Sequence, residues 1–410
     1  MTIARQIIAI PAADAAVRPA RRRVLSITCG AHALHDGYTD LIYVLLPVWQ
    51  AEFALSYAAL GALRMLYAGA MAGLQVPASL LAARFGAPLI LALGTALAGG
   101  AYLLIGLTGA GFVLLAAALL AGGTGSATQH PLASAMVSRA YDGQGGRTAL
   151  GTYNFAGDLG KMALPALTAW LLIALPWRDA VGLLGLIGLA MAAGILLLLP
   201  RGLGSGADLR KAEAKSAAAP AAPYTPPSRM AFPLLLTIGV LDSGTRMGFL
   251  AFLPFVLQAK GAGLETVGLA LTLVFAGGAA GKLACGVLGE RLGVLRTVLL
   301  TECATALGVL ALAPLPLVAA LICLPVIGLA LNGTSSVLYG TVPELVAPEK
   351  RERAFGVFYT GTIGAGALAP LLYGVVGDAL GPQSAIMVVA LVCLLTLPLA
   401  VALNPTLRRS

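Results

Sequence analysis

Six residues that can bind, donate or accept protons recur every three or four positions in residues 29–50, CGAHALHDGYTDLIYVLLPVWQ: His32, His35, Asp36, Thr39, Asp40 and Tyr43. On a helix this spacing gathers them on one face. The rest of the stretch is apolar and long enough to cross a bilayer. Ionisable groups at that depth are costly and face a bundle interior or a water-filled cavity, so the stripe is expected to line a transport pathway. Two chemistries suit it. A carboxylate beside imidazoles can take up and release a proton near neutral pH. The same His32, His35 and Asp36 can also ligate a divalent ion if His130, the third histidine of the chain, converges on them. Proton coupling is the stronger reading, with Asp36 as first-choice acid, Asp158 and Asp242 as alternates, and His32 and His35 as modulators.

Other polar side chains fall inside apolar segments. Arg64 lies at a depth similar to Asp40 and is its expected partner, as a structural tie or a gate. Asn154, Asp158 and Lys161, spaced by four and three, share one helix face; Asp158 and Lys161 are expected to neutralise each other, with Lys161 turning to an anionic substrate once Asp158 is protonated. Asp242 and Arg246, one turn apart, are expected to pair internally. Glu302 is read as a snorkelling or packing residue and Lys282 as part of a loop neighbourhood. Asn332, Ser335, Ser336, Tyr339, Tyr359 and Thr360 can complete a polar wall or make ordinary interhelical hydrogen bonds. The expected substrate-binding set is therefore Asp40, Tyr43, Arg64, His130, Asn154, Lys161, Arg246, Asn332, Ser335, Tyr339 and Tyr359.

These residues need a scaffold, and composition says which kind. Of 410 residues, 59% are hydrophobic and 10% charged; soluble domains carry about 25% charged residues. The fold class is therefore an all-α membrane protein. Twelve segments have the roughly 20 apolar residues that a span requires: 24–50, 57–82, 87–107, 111–137, 148–175, 179–199, 231–258, 264–288, 294–313, 316–340, 354–377 and 383–403. The one long polar connection, rich in Ala, Pro, Ser and Lys, separates the sixth from the seventh. The expected organisation is a tail at 1–23, a six-helix bundle at 24–199, a linker at 200–229, a second six-helix bundle at 230–404 and a tail at 405–410. Twenty of the 26 Lys and Arg residues fall on the side of the two termini, against only Arg178 and Lys260 on the other, which places both termini in the cytoplasm. The first span has no cleavage-site pattern after it and is read as uncleaved. The net charge of +9 is spread over short loops, which argues against nucleic acid as a partner. The five cysteines lack metal or disulfide spacing.

The two halves repeat. A shift of 207 places Leu46-Pro47 on Leu253-Pro254, Gly61 on Gly268, and Arg84-Phe85-Gly86 on Arg291-Leu292-Gly293; a shift of 205 places Gly151 on Gly356 and Pro165 on Pro370. Gly-Gly pairs at 99–100, 122–123 and 277–278 permit close helix approach. The stretch Gly286-Val287-Leu288-Gly289-Glu290-Arg291-Leu292-Gly293 resembles the G-x-L-x-D/E-R-x-G loop signature of the major facilitator superfamily, over a chain whose twelve spans and repeat match that family throughout. The resemblance implies a gating loop formed by Arg84, Gly86, Glu290, Arg291 and Gly293; Ala83 stands where the first-half acid belongs. Within the superfamily, His32-Ala33-Leu34-His35-Asp36 with Leu45-Leu46-Pro47, Gln50 and Phe53 is similar to the start of fosmidomycin-resistance-type efflux proteins, with His35 in place of their Asn. His130-Pro131, Gly145-Gly146-Arg147 and Gly157-Asp158-Leu159-Gly160 echo that group as well.

The expected function is secondary active transport by alternating access between two pseudo-symmetric six-helix bundles. The resemblance implies proton-coupled efflux, by antiport, of a small polar or anionic molecule across the inner cell membrane. The alternative is a divalent-metal or metal-chelate transporter using His32, His35, Asp36 and His130. The chain carries no G-x-x-x-x-G-K-S/T loop and no sizeable soluble domain, which argues against an ATP-driven pump, an enzyme or a receptor. No cofactor is expected. The expected partners are the substrate, protons and the lipid bilayer, with one chain as the working unit.

Overall fold

A computed structural model of the protein describes residues 12–107, 111–141, 145–200, 228–347 and 350–407. Most of the expected linker and the outermost residues of both expected tails, at 1–11, 201–227 and 408–410, lie outside the described residues. The described chain forms fifteen α-helices: α1 (Ala12–Phe53), α2 (Tyr57–Gly73), α3 (Gln75–Phe85), α4 (Ala87–Leu107), α5 (Phe112–Ser126), α6 (Gln129–Ala140), α7 (Gly146–Ala174), α8 (Trp177–Leu198), α9 (Ala231–Gln258), α10 (Leu264–Leu292), α11 (Val294–Leu312), α12 (Leu317–Thr341), α13 (Arg351–Leu380), α14 (Pro382–Leu394) and α15 (Thr396–Leu407). Backbone in hydrocarbon has no water to bond, so each segment satisfies its own amides as helix.

Twelve spans emerge because three are interrupted. α2 and α3 meet at a 44° bend. α5 and α6 meet at Ala127-Thr128, where the Thr128 hydroxyl donates to the Gly125 carbonyl at 2.9 Å. α14 and α15 meet at Leu395. Among the described residues, nine helices are long and apolar enough to cross a membrane, and the bent pair makes ten. The remaining two spans, α1 and α7, have 42 and 29 residues; charges interrupt their apolar character, and these are the helices that carry the stripe and Asp158. α1 also starts at Ala12, so the helix runs on into the expected tail.

In the first half α1 packs on α7 and α4 on α8; in the second, α10 packs on α12 and α9 on α13. The halves meet along two seams, α2 with α13 and α7 with α10. The repeat is visible at both. A Cβ on Gly61 would collide with the Pro370 carbonyl, and one on Gly268 would collide with Ala169 and lie 3.3 Å from the Pro165 carbonyl. Repeat-related glycines thus press on repeat-related prolines, each in the opposite half. Gly86 and Gly293 are related in the same way: at φ 95° and 80° they end α3 and α10 in a conformation that favours glycine.

Packing differs between the two ends of the molecule. Toward the α1–α2 turn, a single core runs through both halves, from Leu34–Trp49 to Phe249–Leu257. Toward the termini, each half keeps its own core, one around Val24, Ile90 and Met136 and the other around Leu235, Val298 and Leu338. The space between the halves is therefore closed at the first end and open at the second.

The closed end is tied by Asp378 near the end of α13, whose carboxylate oxygens accept from the Tyr57 and Ala58 amides at 2.6 and 3.1 Å. Those are the first free N–H groups of α2, where an anion is favoured by the helix dipole. Ser56 caps the next amide, that of Ala59, at 3.2 Å. The tie is exposed, so its loss is expected to cost about 1 kcal/mol. Asp378→Ala should therefore raise the population open at the α1–α2 end by about fivefold. Distances between spin labels across that end would show it, and an unchanged distribution would remove Asp378 from the gate.

Candidate functional site

Between the halves lies a cavity of about 550 Å³. Its charged lining comprises Asp36, Asp40 and Asp158 against Arg64, Lys161, Arg246 and Lys282, with His130 beside them. Among the described lining residues the cations outnumber the acids by one with His130 neutral, and protonating any acid widens the excess. The charged lining is thus net positive.

Asp36 is the hub. Its Oδ2 lies 3.4 Å from His32 Nε2 and 3.3 Å from Lys161 Nζ, and its Oδ1 lies 3.5 Å from His130 Nε2. These partners come from α1, α6 and α7. The glycines of α7 allow the approach: a Cβ on Gly160 would strike the Ala33 carbonyl, and one on Gly157 would lie 2.7 Å from Asp36 Oδ2. The sequence expectation that Lys161 pairs with Asp158 is corrected. With α1 this close, Lys161 reaches Asp36, and Asp158 bonds Lys282 of α10 at 2.5 Å. Lys282 is thus no loop residue. It is a cavity residue that ties the second half to the first, and nothing but its place inside an apolar segment pointed to it.

The hydrogen bonding of His32 fixes its tautomer. Its Nδ1 meets the Tyr153 carbonyl at 2.8 Å, which accepts only, so Nδ1 carries a hydrogen. Neutral His32 then presents a lone pair at Nε2 to Asp36. That contact is favourable only with a proton between them, on either partner. The Tyr153 ring, stacked on His32 at 4.1 Å, and the edge-on His130 ring at 5.2 Å fix the imidazole plane.

His35 does something else. Its Nε2 lies 2.9 Å from the Thr95 hydroxyl and its Nδ1 3.2 Å from the Ser126 hydroxyl. Thr95 already donates to the Leu91 carbonyl at 2.8 Å, so it accepts from His35 Nε2–H. Ser126, itself bonded to the Tyr67 hydroxyl at 2.7 Å, can donate to Nδ1. A neutral His35 is fully satisfied behind the cavity wall. The expected four-residue metal set is corrected accordingly. His32, Asp36 and His130 keep ligand atoms within 4.8 Å of one another, but His35 points elsewhere and the Lys161 ammonium already sits on Asp36, where a divalent ion would have to displace it.

The expected Asp40–Arg64 ion pair is not formed. Both side chains line the cavity, but Arg64, only 3% exposed, lies over the Tyr43 ring at 5.1 Å. Its Nε and Nη1 are buried without a hydrogen-bond partner. Tyr43 is fully buried and spans the halves, donating to Met247 Sδ at 3.3 Å. The expected Asp242–Arg246 pair is not formed either: Arg246 lines the cavity with an unpartnered Nε, while Asp242 lies behind the wall.

In the second half Asn332, Tyr339 and Tyr359 line the cavity with Asn154 opposite. Asn332 donates to its own helix, at Gly328, over 3.1 Å, and the two tyrosine rings lie 4.7 Å apart. Ser335 is off the wall and bonds within its helix. Of the expected gating loop, Arg84, Glu290, Arg291 and Gly293 are exposed and Gly86 half-buried at the open end. Glu290 makes no ion pair among the described residues, as expected where the halves stand apart. Ser243, Met247 and Phe275 also line the cavity without having been singled out in the sequence.

This geometry defines a membrane transporter built from two halves around a central polar cavity. The Major Facilitator Superfamily model matches residues 28–241 and 235–409, and the chain belongs to that family. It is similar to the fosmidomycin resistance protein of Escherichia coli (strain K12), at 30% identity over 164 residues. That match covers 39% of this chain and 40% of the relative, so the chain spans about two-fifths of the length of that relative. Among solved structures, a bacterial homologue of the human lysosomal transporter Spinster, in an inward-facing and occupied conformation, aligns with a TM-score of 0.77 at 17% identity over 95% of this chain and 97% of that one. The nucleoside transporter NupG aligns with a TM-score of 0.76 at 12% identity over 93% and 99%. At these identities the likeness shows the fold alone.

Proposed function

We propose that the protein is a proton-coupled secondary transporter that moves a small polar or anionic molecule across the inner cell membrane. The observation that carries this reading is Asp36, set in the cavity wall between two histidines and Lys161, with His32 held in the tautomer that requires a shared proton. The distribution of Lys and Arg supports cytoplasmic termini, so the open end of the cavity would face the cytoplasm. The division into bundles at 24–199 and 230–404 joined by a linker at 200–229 belongs to the same proposal.

Coupling follows from the hub. With Asp36 ionised, Lys161 is held on it. A proton arriving at Asp36 frees Lys161 and leaves the cavity more positive, so proton and anion occupancy rise together, which favours carrying an anion with the proton over the antiport that the resemblance implies. The excess of cations favours anions, and the likeness to the fosmidomycin resistance protein makes fosmidomycin a first compound to try.

The test uses purified protein in liposomes with a pH gradient of either sign and a panel of fosmidomycin, phosphonates and small carboxylates. Transport of one of them that reverses with the gradient is the expected result; movement indifferent to the gradient would refute coupling. A thermal-shift series with the same panel and divalent metals should rank anions above metals, by a few degrees for a ligand well above its Kd.

A further inference from the structure

The second half holds a buried acid pair that none of the cavity charges uses. Asp242 on α9 and Glu302 on α11 are 4% and 2% exposed, and their carboxyls face each other within hydrogen-bonding range. One oxygen of Glu302, Oε2, accepts from the Cys393 thiol at 3.1 Å and from the Thr396 hydroxyl at 3.3 Å. Thr334 of α12 also faces Glu302. On the Asp242 side the charged and titratable neighbours are Arg246, one turn along α9, and Tyr339 of α12. Arg246 forms no ion pair with either acid among the described residues. Of the two sequence readings of Glu302, snorkelling or packing, the first is corrected: the side chain is enclosed by α9, α12, α14 and α15.

The repeat supports the pairing independently. The shift of 207 that relates the halves carries His35 onto Asp242 and Thr95 onto Glu302. His35 and Thr95 are hydrogen-bonded at 2.9 Å. Two equivalent positions, each behind the cavity wall, therefore hold a touching polar pair, and only in the second half are both members acids.

Two carboxylates in contact, with no cation between them among the described residues, repel strongly even in a moderately polar interior. A proton between them turns that repulsion into a short charge-assisted hydrogen bond. We propose that Asp242 and Glu302 form a carboxyl–carboxylate pair that holds one proton, a second proton-binding site in the half that lacks a counterpart of Asp36. Ser243 and Arg246, flanking Asp242 on α9, line the cavity, so the pair senses its contents. An anion that draws Arg246 toward itself removes the one positive charge near the pair among the described residues and tightens its hold on the proton. The role of the pair in transport rests on the proton-coupling reading above; its protonation does not.

Infrared difference spectroscopy of the purified protein separates the two. At neutral pH wild type should show the carbonyl band of a buried protonated carboxyl. Glu302→Gln and Asp242→Asn should each lose it, and Asp36→Asn should keep it. In Glu302→Gln the amide oxygen still accepts from Cys393 and Thr396, so the fold is expected to survive, and an unchanged thermal midpoint checks this. A band that persists in both acid-pair variants, or is absent from wild type, overturns the pair. A band lost as expected in a protein whose transport ignores the pH gradient would retain the proton site and refute the coupling reading alone.

Discussion

Asp36→Asn should reduce pH-driven transport in proteoliposomes to the level of protein-free liposomes while leaving substrate exchange at equal pH measurable. Asparagine keeps the shape of the side chain and can still meet His32, His130 and Lys161, but it cannot carry a proton through the cycle. Its neutral amide also removes the counter-charge that Asp36 gives Lys161, so the variant mimics the protonated state and should bind an anionic substrate at least as tightly as wild type. Loss of gradient response with binding retained is therefore the expected signature, and it differs from misfolding, which removes both. Coupling at the wild-type level in this variant would transfer the role to another acid. His130→Gln offers a graded comparison: it removes one imidazole from Asp36 Oδ1 but leaves the His32 and Lys161 contacts, so coupling should weaken rather than vanish.

The elements were legible in the sequence, and most of the side-chain partnerships were not. Twelve apolar segments, the repeat and the loop signature gave the two-bundle fold, because hydrocarbon leaves the backbone little choice. The stripe of α1 was legible for the same reason: charge at that depth must face inward. Partners depend instead on helix rotation and closeness, which periodicity does not encode. Lys161 leaves Asp158 for Asp36 because Gly157 and Gly160 let α1 and α7 touch, and those two glycines beside a charged pair were the available signal. Arg64 stacks on Tyr43 rather than reaching Asp40, a choice of rotamer that spacing cannot express. Glu302 could have been found, since the 207-residue shift that aligned Gly61 with Gly268 also aligns it with Thr95.

Lys282 sets up the second large effect. Its bond to Asp158 joins α10 to α7, on the same seam where Thr272 donates to the Met162 carbonyl at 3.1 Å and Gly268 meets Ala169. Of these three contacts it lies nearest the open end, and Lys161, three residues along α7 from Asp158, is the cation that can replace it. Protonating Asp36 would release Lys161 to compete for Asp158 and so loosen Lys282, carrying a change at α1 to the opposite half. Lys282→Met and Asp158→Asn each leave a charge in a largely buried setting without its partner, a loss worth about 3–5 kcal/mol for a fully buried pair and less for this half-exposed lysine. Each single variant should therefore cut transport by about tenfold or more. The double exchange Asp158→Lys with Lys282→Asp should restore it to within about threefold, because coupled partners depart from additivity in this way. It keeps the tie between the halves but puts a lysine three residues from Lys161, so transport should return with a flattened pH dependence. Failure of the double variant to recover over either single one would mean that the two residues act separately, and recovery with an unaltered pH profile would mean that the tie is mechanical and carries no signal from Asp36.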